Sequence, residues 1–206
     1  MISLFLNTSS NYLNIAINKD GVVIDEFYER LDRDLSREAL FNVKCLLDKN
    51  GILPNEVDEI YSVSGPGSFT GLRVGVTISK TFAYFLNKRL YEVSNLFVMA
   101  TSVSAPLIVP VIDARRGFVY AGIYDSDYNT VMKEKYIKLD ELIEKVKEYN
   151  KEYKFVSYDK FDLVSVCEFR PNIENFFKYY KKKLVDPLTY VPNYLKCTEA
   201  EEKRNG

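Results

Sequence analysis

The stretch from Ser64 to Ala83 constrains this chain more than any other. It reads Ser64-Gly-Pro-Gly-Ser-Phe-Thr-Gly-Leu-Arg-Val-Gly75 and runs on through Lys80 to Ala83. An apolar run over 57–64 reads as a strand, and the periodicity predicts a helix over 70–87. Strand, glycine-rich turn and helix in that order belong to a sheet covered by helices. Within the helix Gly71, Gly75, Ser79 and Ala83 recur every fourth residue, so they share one face and strip it of bulk. Gly75 in mid-helix costs about 1 kcal/mol relative to alanine, so a close contact must offset it. Two occupants suit such a groove: the chain's own sheet, or another chain. Leu72, Ile78, Phe82, Phe85 and Leu86 spread apolar surface over more than one side, which one sheet cannot cover. A helix face offered to another chain therefore stands beside packing on the chain's own sheet, and a preceding helix carries Ala39, Leu40, Val43 and Leu47 at helical spacing.

The glycines match no established nucleotide motif. A Walker loop needs Lys after its second glycine, and Leu72 follows Gly71. The third glycine comes one residue late for GxGxxG, and Ser68 directly follows Gly67, which rules out GxSxG. Backbone N–H groups at the helix start remain suited to an anion. Thr8, Ser9, Gly65, Gly67 and Ser68 are accordingly the candidate phosphate-binding residues, with a purely structural turn as the competing reading. Arg115 and Arg116, at the tip of a hairpin, suit either phosphate or solvent.

Around this stretch the first half reads strand, strand, strand, helix, strand, helix, then a short strand and a short helix. Ile2–Leu6, Tyr12–Ile17 and Val22–Tyr28 are the opening strands, with Asp20-Gly21 as a hairpin signal. Ser36 suits a helix cap and Asn50-Gly51 a helix stop. The second half loosely repeats the plan: strands at 106–112, 118–124 and 130–137, a helix face from Leu139 to Tyr149, a strand at 153–157, and a last helix face from Ile173 to Leu184. Lys181-Lys182-Lys183 is expected to end that helix and complement its dipole. The expected organisation is α/β: residues 1–103, residues 104–197, and a frayed tail over 198–206.

The chain has 206 residues and no histidine. That excludes Ser-His-Asp and Cys-His catalysis and the histidine-based zinc and iron sites. No acidic pair stands at the first turn, where Asn7 takes the place an aspartate would need. The 28 basic and 29 acidic residues leave a net charge of −1, so no global field draws nucleic acid. Cys45, Cys167 and Cys197 are far apart and are expected to be reduced, buried thiols. No signal peptide or membrane span is expected, which suggests a cytoplasmic protein.

The 64–75 string closely resembles the signature of the TsaB (YeaZ) family, which serves threonylcarbamoyladenosine formation in tRNA. Leu6-Asn7-Thr8-Ser9 resembles the family's opening Leu-Asp-Thr-Ser. Asp113-Ala-Arg-Arg-Gly117 with Val119-Tyr120-Ala121 is similar to its mid-chain hairpin, and Pro192 with Tyr194-Leu195-Lys196 to its C-terminal Pro-x-Tyr-Leu-Arg. The resemblance implies the actin-like ATPase (ASKHA) fold, two tandem RNase H-like domains with mixed sheets, the second reduced. It implies a non-catalytic subunit that dimerises with a TsaD-type catalytic subunit or a second copy, within a complex that includes a TsaE-type ATPase, through its first two helices: the one carrying Ala39, Leu40, Val43 and Leu47 and the one carrying Gly71, Leu72, Gly75, Ile78, Ser79, Phe82 and Ala83. Transfer TsaD performs runs from threonylcarbamoyl-adenylate to a tRNA adenosine, so tRNA is an indirect partner. The resemblance assigns no cofactor to this chain itself and leaves room for ATP or ADP at the interface of the complex. TsaD-type proteins hold a metal through HxxxH, which this chain lacks. His-Ser-Glu, found in some members before the first helix, is here Leu35-Ser36-Arg37-Glu38. The readings to weigh against the subunit role are an ATP-binding or ATP-hydrolysing enzyme of the same fold and, less well matched, a peptidase.

Overall fold

The computed structural model describes residues 1–31, 35–162 and 164–195. Three antiparallel strands open it: β1 (Ile2–Asn7), β2 (Tyr12–Lys19) and β3 (Val22–Arg30). Helix α1 (Leu35–Lys49), β4 (Glu59–Gly65), α2 (Phe69–Phe85), β5 (Arg89–Ser94) and α3 (Asn95–Ala100) follow. The second half begins with β6 (Leu107–Asp113), β7 (Phe118–Asp125) and β8 (Thr130–Lys138), then α4 (Leu139–Glu148) and β9 (Tyr153–Ser157). Short β10 (Val166–Glu168), α5 (Ile173–Tyr179) and β11 (Leu184–Val185) complete it.

The two sheets repeat one connection order. In the first, β1 pairs antiparallel with β2 and parallel with β4, β2 carries β3, and β4 carries β5 in parallel. In the second, β6 pairs antiparallel with β7 and parallel with β9, β7 carries β8, and β9 carries β10 in parallel. The strand order is thus 5-4-1-2-3 in each half, with β11 added outside β5.

Strand alternation builds a layered core. Leu4, Leu6, Leu13, Ile15 and Ile17 face α1 and α2 on the outer side of the first sheet, together with Val43 and Leu47. Phe5, Tyr61 and Val93 turn the other way and meet Met99, Tyr124 and Phe176 between the sheets. On the far side, Leu107, Val109 and Ala121 pack under Leu142 and Val146 of α4. Central strands buried on both faces explain why their sequences are continuously apolar.

Several expectations are corrected. The last helix stops at Tyr179, and Leu184 belongs to an edge strand and is exposed. The physical cause is the chain's return to the first sheet. Lys182 Nζ donates to both oxygens of Glu59 (3.0 and 2.9 Å), Asn193 N–H donates to Ser64 O (2.8 Å), and Tyr190 Oη donates to Ser62 O (2.8 Å). Residues 182–194, assigned by sequence to the second half, thus form a strap on the first sheet. The three lysines lie beyond the helix and cap no dipole. Cys45 and Cys167 are exposed, not buried, because Cys45 falls off the 39–43–46–47 stripe of α1 and Cys167 sits on a three-residue edge strand. Cys197 and the 198–206 tail lie outside the described residues. Among the described residues no helix is long and apolar enough to cross a membrane.

Candidate functional site

The small-residue face of α2 is turned inward. A Cβ at Gly71 would come within 2.0 Å of Thr8 O, and one at Gly75 within 2.2 Å of Thr8 Oγ1. Ser79 and Ala83 continue the face and are buried. The turn after β1 occupies this groove, so the close contact that Gly75 requires is supplied within the chain. Gly71, Leu72, Gly75, Ser79, Ala83 and, on α1, Ala39 are therefore corrected from interface to core.

The expected phosphate groups are engaged with one another. Thr8 Oγ1 donates to Gly71 O (2.7 Å), and Ser9 N–H and Oγ–H both donate to Asn7 Oδ1 (2.9 and 2.6 Å). Ser68 N–H donates to Ser9 O (2.7 Å), while Ser68 Oγ accepts from Gly71 N–H (3.3 Å) and caps α2. Gly65 lies against the strap, where a Cβ would meet Asn193 O at 2.5 Å, and Gly67 lies against Ser9. Thr8, Ser9, Gly65, Gly67 and Ser68 thus dock the first turn, the Gly-Pro-Gly loop and the strap onto one another. Ser9, Gly67 and Ser68 also line a cleft of 490 Å³ between the halves, together with Ser10, Arg115 and Asp159. Among the described residues no three His, Cys, Asp or Glu side chains converge as a metal site.

What α1 and α2 leave unpartnered is their outer surface. Leu40 is 57% exposed and Phe41 60%. A hollow of 680 Å³ has Leu40, Phe41 and Pro54 on its walls, and Val43, Leu47 and Phe82 also line it. A second hollow of 460 Å³ is lined by Leu40, Phe69, Arg73, Val74 and Ile78. Leu40 borders both and forms a ridge between them. At the edge of the second hollow Arg73 Cζ lies 3.9 Å from the centre of the Phe69 ring, Tyr194 stacks on that ring at 5.3 Å, and Arg73 Nε donates to Tyr194 Oη (3.2 Å). Of the residues expected at an interface, Leu40, Val43, Leu47, Ile78 and Phe82 border these hollows. Phe41, Phe69 and Arg73 were not among them. The signal for Phe41 was its offset from the 39–43–46–47 stripe, which sends it to the side of α1 away from the sheet.

A duplicated α/β chain with two mixed sheets of identical strand order has the actin-like ATPase fold. Two solved Pseudomonas aeruginosa structures share it at 22% identity. One is described as an uncharacterized protein with similarity to peptidase YEAZ (TM-score 0.79, covering 95% of this chain and 99% of that one). The other is YeaZ (TM-score 0.72, 94% and 99%). The family model of TsaD, tRNA N6-adenosine threonylcarbamoyltransferase, matches residues 25–176. The Bacillus subtilis tRNA threonylcarbamoyladenosine biosynthesis protein TsaB is 32% identical over 98% of this chain and 97% of that protein. The chain belongs to the TsaB (YeaZ) family.

Proposed function

We propose that this chain is a non-catalytic partner subunit in threonylcarbamoyladenosine modification of tRNA, binding and activating a TsaD-type catalytic subunit. The observation that carries this reading is the exposed apolar surface of α1 and α2, with Leu40 as a ridge between two hollows. Exposed contiguous apolar surface marks interaction sites on soluble proteins. The occupant is argued from homology: the TsaD family model spans α1 and α2 of this chain, so a TsaD-type partner carries counterparts of both helices. Two related helix pairs can then meet about an approximate twofold axis, each ridge entering the other's hollow. A second copy of this chain satisfies the same geometry, and a homodimer is the resting alternative. The complex would work in the cytoplasm with a TsaE-type ATPase, reaching tRNA through the catalytic subunit. ATP or ADP, where the complex uses it, would be held at the subunit interface.

The test is reconstitution with the catalytic subunit, tRNA and threonylcarbamoyl-adenylate. Modified adenosine should depend on this chain. Phe41→Asp combined with Leu40→Asp should weaken the complex about 100-fold or more, because buried aromatic and apolar anchors dominate such interfaces. The melting of the isolated chain should stay within about 0.5 kcal/mol, as for other exposed positions. Full modification without this chain, or an undiminished complex with the double variant, overturns the proposal.

A further inference from the structure

A cavity behind the strap has no part in the partner reading. Its volume is 310 Å³, within the range of about 300–1,000 Å³ typical of small-ligand sites. It lies at the carboxyl ends of the parallel strands β4 and β5, where Ser64 and Ser94 line it. Open α/β sheets take their ligands at that end. The β7–β8 hairpin of the second sheet and the end of α5 close the other sides, so both halves of the chain and the strap build it.

The walls are aromatic. Phe97 meets Tyr124 edge-on at 5.9 Å and Tyr180 at 5.8 Å, and Tyr128 meets Tyr179 at 4.7 Å. Rings set at steep angles offer both faces and edges, which suits aliphatic groups and cations alike.

The charges are divided. On the inner side stands Glu134. Its Oε1 accepts from Ser94 Oγ and from Tyr124 Oη (2.6 Å for the latter), and no described residue donates to its second oxygen. Burial pushes this carboxyl up from its ordinary range and Glu92 adds to the effect, while Ser94, Tyr124 and Lys183 oppose it. A carboxyl in that condition gains from an added cation. On the exposed rim stand Lys181 and Lys183. Lys181 Nζ donates to Asn129 Oδ1 (3.0 Å), and Lys183 pairs with Glu92 Oε2 (2.5 Å). Lys182 between them turns the opposite way, to Glu59. An extended segment alternates its side chains, and so two of the three consecutive lysines reach the cavity. Two carboxylates and two ammonium groups leave the lining without net charge but with a defined polarity.

We propose that this cavity binds a free α-amino acid, its ammonium on Glu134, its carboxylate on Lys181 and Lys183, and its side chain among the rings. A simple amine would meet the two rim lysines, and a simple carboxylate would meet Glu134. A zwitterion matches both ends. The cavity shares no lining residue with the α1/α2 hollows, so this proposal stands or falls apart from the partner role.

Calorimetric titration of the full chain with a panel of the standard amino acids tests it. Alongside run 3-methylbutylamine and 4-methylpentanoate, which keep the leucine side chain and each drop one charge. At least one amino acid should bind at about millimolar Kd or tighter. For L-leucine, each one-charge analogue should bind about tenfold more weakly or worse, the scale of one charge-assisted hydrogen bond. Glu134→Gln, which keeps an acceptor for Ser94 and Tyr124, should weaken the best binder about tenfold. The exposed Lys181→Ala with Lys183→Ala provides a second reading that spares the buried side. No binding by any amino acid of the panel overturns the proposal, as does binding indifferent to both sets of substitutions or, where leucine binds, an amine that binds as well as leucine.

Discussion

Asn7 holds the first turn in a way the family's usual aspartate cannot copy atom for atom. Its Oδ1 accepts twice from Ser9, and its Nδ2 donates to Asn95 Oδ1 (3.3 Å). Asn95 Nδ2 in turn donates to Pro66 O (3.0 Å), and Tyr158 Oη donates to Asn95 Oδ1 (3.3 Å). Two amides thus tie the first turn, the Gly-Pro-Gly loop, α3 and the end of β9 together at a site with almost no solvent exposure. Asn7→Asp would set a carboxylate oxygen against Asn95 Oδ1. A flipped Asn95 would repair that contact and lose Pro66 O instead. Either way one buried bond goes, and the substitution should lower stability by about 1–3 kcal/mol, read as a shift in urea midpoint. An unchanged midpoint would mean the network contributes nothing. The sequence identified Asn7 as a departure but not its partner, because the residue that answers it lies 88 positions away.

At the scale of elements, α2 illustrates what periodicity can and cannot tell. The four-residue repeat of small side chains was legible, and so was the need for a close neighbour. Which neighbour was not, since a groove for the β1 turn and a groove for another helix leave the same pattern in sequence. The two faces of α2 now separate by experiment. Gly75→Ala forces a methyl toward Thr8 Oγ1, the hydroxyl already bonded to Gly71 O. It should cost about 1–3 kcal/mol of folding stability, the range for overpacking a tight contact, in thermal or urea unfolding. Affinity for the partner, measured on the folded fraction, should be unchanged. The Leu40 and Phe41 substitutions on the outer surface should give the reverse result. If Gly75→Ala loses partner binding at full stability, the inner and outer faces have been assigned the wrong way round. Helix α1 follows the same logic: its buried stripe was readable from spacing, whereas Phe41 was visible only as an apolar residue out of phase.

At the scale of the molecule, the duplication was half legible. Both halves announce three strands and a helix, but β10 and β11 have three and two residues and carry no periodicity to detect. The strap escaped for a related reason: Ile173, Phe176, Phe177, Tyr180 and Leu184 fall at helical spacing although the helix ends before the last two. What draws the chain away is Glu59, fully buried at the first residue of β4. Burial alone would raise its pKa. Hydrogen bonds from Lys182 and Tyr61 and the charges of Lys182 and Arg89 outweigh that, and the net shift is downward. A carboxylate with a lowered folded pKa adds stability above its unfolded pKa and loses it as pH falls through the folded value. Lys182→Met keeps a hydrophobic stem near the rings of Tyr61 and Tyr91, whose centres lie 5.7 and 5.2 Å from Nζ. It leaves Glu59 with Arg89 as its cation, at 3.0 Å. Because the lysine head is itself half-exposed, the loss at pH 7 should be about 2 kcal/mol, below that for a fully buried pair. It should shrink toward zero at an acid pH low enough to protonate Glu59 in both proteins. Urea unfolding at the two pH values reads this directly. A loss of equal size at both would mean that Tyr190 and the β11 pairing hold the strap, and that Lys182 contributes packing alone.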